Sequence, residues 1–376
     1  MKRFWPVGLG GCLIACAYIA IVLARSGWDP TAALAQGEEA HKQRIYAEIE
    51  LGREVVTRPA LGHDGKFFFI LANDPWLLEP SRHAAHLDYP TYRAQRMLYP
   101  ILAGGFGLFP AHVAVWGLIV VNLLAAGVGC AFMGKMAYQM GRTQWLGLVF
   151  AVSPGVLADL DISGSGALAL SLALAATTLS IDGRHHWAVA ALTGAVLARE
   201  TMVLIAVGLF LWLWLQQQVV RLALVVIPAL ALLTWRVYAG FRLQEIESAT
   251  ATLEGLSRNF DLFPLRGAVG ASPFWSLSTP TLIWIAAQIV FVLLFVRRAW
   301  GTRHVVGWIA WPFVIMALFL STAVWIQPYD LARAIAPVFV AYPLLLFARD
   351  SASPALVQQP KINRAPKWQL LNYNRR

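Results

Sequence analysis

The chain has 376 residues, of which 58% are hydrophobic and only 13% charged, with 16 Trp. That balance excludes a soluble globular domain, in which charged residues run near ~25%. The net charge of +10 would suit nucleic acid if it lay on one folded face, but Lys and Arg fall between apolar runs and in the tail. This excludes a nucleic-acid partner and points to an all-α, polytopic integral membrane protein.

The first apolar run, Phe4 to Ala24, follows Lys2-Arg3. It is longer than the ~7–15 residues of a cleaved signal core, so it reads as an uncleaved anchor that starts in the cytoplasm. Leu13-Ile14-Ala15-Cys16 has the outline of a lipoprotein box, but apolar residues continue past Cys16, which argues against lipidation. Cys12, Cys16 and Cys130 all lie within apolar runs and give neither a disulfide framework nor a zinc spacing. Residues 25–110 then form a first outer loop. Within it, Glu38 to Val56 sets Ile45, Ile49 and Val56 near helical spacing among Glu, Lys and Arg, the pattern of a helix lying along the interface. Met97 to Phe109 is apolar but interrupted by Pro100, Gly104, Gly105 and Gly107. It is shorter than the ~17–25 residues of a spanning helix and reads as a shallow or re-entrant segment.

Further apolar runs follow at His112–Gly134, Gln144–Ala158, Ile162–Ile181, Trp187–Ala198, Thr201–Leu215, Val219–Tyr238, Pro280–Val296, His304–Trp325 and Ala332–Ala348. With the anchor they make about ten transmembrane helices. This count places Lys135, Arg142, Arg184, Arg221, Arg297, Arg298, Arg303 and Arg349 inside, as the positive-inside tendency requires. It gathers Asp159, Asp161, Glu200 and Asp330 outside, beside a second outer loop over 240–279. Residues 351–376 are polar and Pro-interrupted, the composition of a disordered cytoplasmic tail.

The densest polar stretch is Gly62 to Pro100. Asp64 precedes Gly65 and an apolar run, so it is either the N-cap of a short helix or a general base at the lip of an apolar cavity. His63 stands beside it as a tuning group or a loop residue. Arg199 and Glu200 lie between two apolar runs, where charge is costly unless paired or lining a wet cavity. They read as a mutual or cross-helix ion pair that fixes helix packing or as ligand contacts, and Arg333, after Asp330, poses the same choice. Arg93 and Arg96, three apart, suit a phosphate or lipid headgroups. Asp159-Leu160-Asp161 is a D-x-D that caps the next span or holds a divalent cation such as Mg or Mn. His185 and His186 fall inside, away from any outer site.

Taken in order, Gly62-His63-Asp64-Gly65-Lys66-Phe67-Phe68, Tyr92-Arg93-Ala94-Gln95-Arg96-Met97-Leu98-Tyr99-Pro100, Asp161 and Ala198-Arg199-Glu200-Thr201 resemble the pattern of polytopic glycosyltransferases of the GT-C fold. The likeness covers roughly the first two thirds of the chain and looks closest to a bacterial group of mostly unassigned substrate. It implies a multi-pass protein of the bacterial inner membrane, both termini cytoplasmic, with a periplasmic active site. The implied donor is a polyprenyl-phosphate-linked sugar held among membrane lipids, and the acceptor a glycan, lipid or protein. Two departures are plain. The first loop lacks a paired acidic motif, and no large soluble carboxy-terminal domain follows.

The implied reaction is an inverting transfer, with Asp64 as base and Arg199, Arg333 or Arg93 on the departing phosphate. His63, Glu200, Asp161, Tyr99 and Arg96 are the supporting residues. Two other readings remain open: a transporter or flippase for a lipid-linked or anionic solute, with Arg199-Glu200 as a coupling pair, and a non-catalytic envelope-assembly protein on the same fold.

Overall fold

The computed structural model describes residues 1–215, 222–246, 259–275, 278–302 and 304–346. The expected tail over 351–376, most of the loop between 247 and 258, and Arg221, Arg303 and Arg349 lie outside the described residues. What is described is almost entirely helical. Four helices are long and apolar enough to cross a membrane: residues 2–24 (continuing into α1, Trp5–Ala24), α6 (Ala111–Gln139), α11 (Ala223–Leu243) and α13 (Thr279–Ala299). Shorter apolar helices stand beside them: α8 (Gly166–Ile181), α9 (His185–Ala198), α10 (Val203–Leu215) and α14 (Val305–Leu318). The chain therefore has the composition and helix lengths of a multi-pass membrane protein.

Several apolar runs are broken rather than straight. Gln144–Ala158, read above as one span, is a 3-10 turn over Gln144–Phe150 followed by α7 (Pro154–Asp161). Ser153 between them is extended, as a residue before proline tends to be, and Pro154 has no N–H to continue the ladder. Near the end, α16 (Pro328–Ala334) and α17 (Ala336–Leu346) are bent by 62° at Ile335, two residues before Pro337. Arg333 lies in the last turn of α16, just before this bend.

Small residues let the central helices approach closely. A Cβ on Gly11 of α1 would stand 2.4 Å from Cys130 Sγ of α6, and one on Gly129 would stand 2.3 Å from Phe150. This is the small-residue packing used where lipid offers no hydrophobic drive to associate. Helix α8, rich in Ala, Leu, Ser and Thr, is buried between α6 and α9.

The stretch 25–110 folds over one end of this bundle. It contains α2 (His41–Leu51), α3 (Gly65–Asn73), α4 (Pro90–Ala94) and α5 (Leu98–Ala103), with a two-residue parallel pairing of β1 (Gln36–Gly37) and β2 (Thr57–Arg58). The interfacial helix expected over Glu38–Val56 is α2, which leaves Ile45 and Ile49 exposed. The Met97–Phe109 segment is α5 followed by a 3-10 turn, too short to span. Gly62 has φ +67°, and a Cβ there would stand 2.2 Å from Ala35 O. Only glycine fits that turn, which delivers His63 and Asp64 to the start of α3. Gly65 is equally tight, its Cβ position 2.5 Å from Ile162 O, so the start of α3 is wedged against the α7–α8 turn.

Candidate functional site

Five segments far apart in sequence bring their charges to one place. Asp64 enters from the start of α3, Arg93 from α4 and Arg96 from just beyond it. Asp159 comes from α7, Arg199 and Glu200 from the break between α9 and α10, and Arg333 from α16.

Asp64 stands at the N-cap position of α3 but makes no side-chain cap. Its carboxylate goes to arginines instead. Arg93 Nη1 donates to Oδ1 at 2.9 Å and Arg333 Nη2 to Oδ2 at 2.7 Å, with Arg96 Nη1 3.7 Å from Oδ2. Burial alone would raise the pKa of this carboxyl, but Arg333, Arg93 and Arg96 outweigh it and hold it well below the usual carboxylate range. Arg333 is the hub. Its Nε donates to Asp159 Oδ1 at 2.9 Å and its Nη1 to Asp330 Oδ1 at 3.3 Å, beside the bond to Asp64.

The other arginines are shared out in the same manner. Arg93 grips Asp88 through Nε at 2.7 Å and Nη2 at 3.0 Å. Arg96 makes a two-pronged bond to Glu200, Nε to Oε2 at 2.9 Å and Nη2 to Oε1 at 2.8 Å. Forked guanidinium–carboxylate pairs of this kind fix orientation as well as charge. Arg96 Nη2 also donates to the Tyr92 hydroxyl at 2.7 Å, which accepts from Asn259 Nδ2 at 2.5 Å.

Arg199 is the exception. It is 9% exposed, yet among the described residues its guanidinium makes no hydrogen bond and no ion pair, and its Nε is buried without a partner. It is not remote from the cluster. A Cβ on Gly166 would stand 2.7 Å from Arg199 Nη1 and 2.2 Å from Asp159 Oδ2. The adjacent Glu200 turns instead to Arg96, so the mutual Arg199–Glu200 pair does not form, whereas a cross-segment pair does. A buried guanidinium left open in this way is costly unless something negative binds it.

The D-x-D is divided. Asp159 is 1% exposed and faces Arg333, whereas Asp161 accepts from Arg58 Nη1 at 2.7 Å. Neither carboxylate is turned to the other, and no group of three or more His, Cys, Asp or Glu able to hold a metal occurs among the described residues. The donor set present does not fit a divalent cation, which corrects the cation-site reading of Asp159 and Asp161.

Arg93 and Arg96, three apart, both reach Asp64 and the Tyr92 ring although α4 ends at Ala94, and their forked bonds go to Asp88 and Glu200 respectively. The His63 ring lies 6.4 Å from that of Tyr329, and burial lowers its pKa. Tyr99 lies apart from the arginines. It is fully buried, donates to Leu118 O at 2.8 Å and accepts from Asn122 Nδ2 at 2.9 Å. One residue that the sequence pattern hid is Lys66, read as part of an apolar run. Its ammonium is buried beside the Phe67 ring and donates to Leu61 O. Burial, reinforced by Arg93, pushes its pKa down to about 8 against the pull of Asp64 and Asp88. Its place as the one charge in the run Gly65–Ala72 was the available signal.

No protein-family description, no curated protein and no solved structure matches this chain.

Proposed function

We propose that this chain is a membrane glycosyltransferase that moves a sugar from a polyprenyl-phosphate donor to an acceptor hydroxyl, with inversion. The observation that carries the reading is Arg199, a buried guanidinium without a hydrogen-bond partner among the described residues, set in one cluster with Arg333, Arg96, Arg93 and the carboxylate of Asp64. An anion site beside an acid–base group, embedded among apolar helices, suits a lipid phosphate whose bond to a sugar is to be broken.

In this reading the donor phosphate lies against Arg199 and draws N–H donors from Arg333. The acceptor oxygen attacks the anomeric carbon as the bond from that carbon to the phosphate oxygen breaks. The acceptor proton passes to Asp64, and the leaving phosphate gains one negative charge. Asp64 is a weak base while Arg93 and Arg333 both hold it, so loosening of one of these bonds precedes proton transfer. The GT-C resemblance of the sequence motifs agrees with this assignment. No step is routed through a divalent cation.

The test is release of polyprenyl phosphate from a labelled polyprenyl-phosphate sugar by the purified chain in lipid nanodiscs. Asp64→Asn is expected to reduce turnover at least ~10²-fold per folded molecule, the folded fraction being fixed by thermal unfolding. Turnover retained in Asp64→Asn removes Asp64 as the base. An anion carrier would use the same arginines, but it would release no free polyprenyl phosphate.

A further inference from the structure

The cluster is balanced in charge before any ligand arrives. Arg93, Arg96, Arg199, Arg333 and Lys66 face Asp64, Asp88, Asp159, Asp330 and Glu200, five cations against five carboxylates. Arg58 and Asp161 form a separate neutral pair at its edge, and His63 adds no charge when neutral. The balance hides a mismatch in bonding. Arg333 is bonded to three carboxylates while Arg199, among the described residues, is bonded to none. An anion placed on Arg199 therefore finds one open guanidinium and a neighbour, Arg333, that is shared three ways. It also adds negative charge to a neutral, buried set of groups, where uncompensated charge is most costly.

We propose that occupancy of Arg199 by a phosphomonoester and protonation of Asp64 are linked through Arg333. The proposal rests on the transferase reading above and deepens it by stating how the site becomes active. As a phosphate draws Arg333 toward itself, one of the two arginine bonds to Asp64 loosens and the carboxylate gains proton affinity. The same coupling balances the transfer step. The donor is a phosphodiester with one negative charge, and the departing lipid phosphate is a monoester with up to two. The charge that appears at Arg199 is matched by the proton that Asp64 takes from the acceptor hydroxyl. No other source or sink of charge is needed. Of the groups facing Asp64, Arg93 from α4, Arg96 beyond it and Arg333 from α16 oppose its protonation; Arg333 and Arg96 both lie near Arg199, and Arg333 has the closer bond to Asp64, 2.7 Å against 3.7 Å. His63 and Lys66, flanking Asp64 in the chain, are the remaining titratable neighbours.

The experiment is calorimetric titration of the full-length protein in dodecyl maltoside with geranyl phosphate, at pH 6.5, in two buffers of different ionisation enthalpy. The number of protons taken up per ligand bound is compared between the wild type and Asp64→Asn, so that the ligand's own ionisation cancels. The wild type is expected to take up more protons than Asp64→Asn, with the excess approaching one. Asp64→Asn is also expected to bind several-fold more tightly, because Arg333 is freed. Arg199→Gln removes no native bond, so it is expected to fold, and it should bind at least about tenfold more weakly.

Equal proton uptake in the wild type and Asp64→Asn, or weaker binding by Asp64→Asn, overturns the linkage and leaves the transferase reading intact. Undiminished binding by Arg199→Gln overturns the assignment of the anion to Arg199. Inorganic phosphate forms the second arm. Affinity equal to that for geranyl phosphate overturns the lipid-borne source on which the transferase reading depends, while the linkage stands. Should Asp64→Asn fail to fold, the wild-type affinity from pH 5.5 to 8 replaces it. An affinity that follows the ligand's ionisation alone overturns the linkage.

Discussion

The two ends of α8 hold charge in opposite ways. At its start, Gly166 lies against Asp159 and Arg199, within the arginine cluster. At its other end, some 16 residues and about 24 Å away, Asp182 takes the ammonium of Lys135 and the amide of Gln139 from the end of α6. That far pair is partly exposed and closed upon itself. The near cluster has a buried centre of Arg96, Asp159, Arg199 and Arg333 with half-exposed Asp88 and Asp330 at its rim, joins five segments and, among the described residues, leaves one cation open. A partly exposed ion pair needs no ligand to explain it and contributes little to stability. A buried set of arginines is weak evidence for stability, because desolvation offsets most of the attraction. Its better explanation is a ligand that completes it, and this difference makes the near end the place to look for function.

The largest expected contrast comes from deleting one carboxylate at each end. Asp159→Ala removes the partner of Arg333 Nε from a site that is 1% exposed. It is expected to cost about 3 kcal/mol or more, read as a lowered midpoint in SDS-induced unfolding from dodecyl maltoside. A loss below about 1 kcal/mol would place the near cluster in the same class as the far pair and erase the contrast.

Lys66 sharpens the contrast from the opposite direction, since here a buried cation is expected to destabilise. Its folded pKa of about 8 lies below the 10.5 of the free side chain. The unfolded chain therefore binds more protons between these values, and stability rises with pH across that window. Below about pH 8 the full cost is present, and above about 10.5 it is gone. Lys66→Met should accordingly stabilise the protein by up to about 3 kcal/mol at pH 7 and flatten the rise between pH 8 and 10.5. A wild-type midpoint that falls across that window contradicts the sign.

Much of this was legible in the chain before its fold was. The uniformly apolar runs that become α1 and α6 need no partner to be recognised, and Asp64, Arg93, Arg199 and Arg333 stood out as charges at the margins of such runs. What could not be read was who pairs with whom. Arg199 and Glu200 look like a pair, but the backbone at Arg199 is extended, φ −156° and ψ 119°. Successive side chains then point to opposite sides, and Glu200 reaches Arg96. Asp159 and Asp161 look like a cation site, but residues two apart on a helix do not face each other. One therefore meets Arg333 and the other Arg58. The break at Pro154 was hidden inside an unbroken apolar run that was counted as a span, and about ten spans were counted where four long helices, one bent pair and several shorter apolar helices are described.

A smaller effect separates geometry from charge at the near end. Gly166→Ala adds one methyl carbon 2.2 Å from Asp159 Oδ2 and 2.7 Å from Arg199 Nη1 without changing any charge. The carboxylate must move, and the bond from Arg333 moves with it, for an expected cost of about 1–3 kcal/mol. Affinity for geranyl phosphate should fall along with stability, because Arg199 is displaced from the same point. Unchanged affinity at reduced stability would mean that the anion does not use Arg199.

The smallest effect belongs to the far end, and its smallness is the point. Asp182→Ala removes the partner of Lys135 and of Gln139 Nε2, whose bond to Asp182 is 2.8 Å. Lys135 keeps access to water, so the stranded ammonium is hydrated rather than buried. The expected loss is under about 1 kcal/mol and shrinks further in ~0.5 M salt, which screens exposed charges within a few ångströms. Polyprenyl phosphate release should be unaffected, since about 24 Å of α8 lies between. A loss of activity in Asp182→Ala without loss of stability would show that α8 couples its two ends, and the charge at its far end would then belong to the working site.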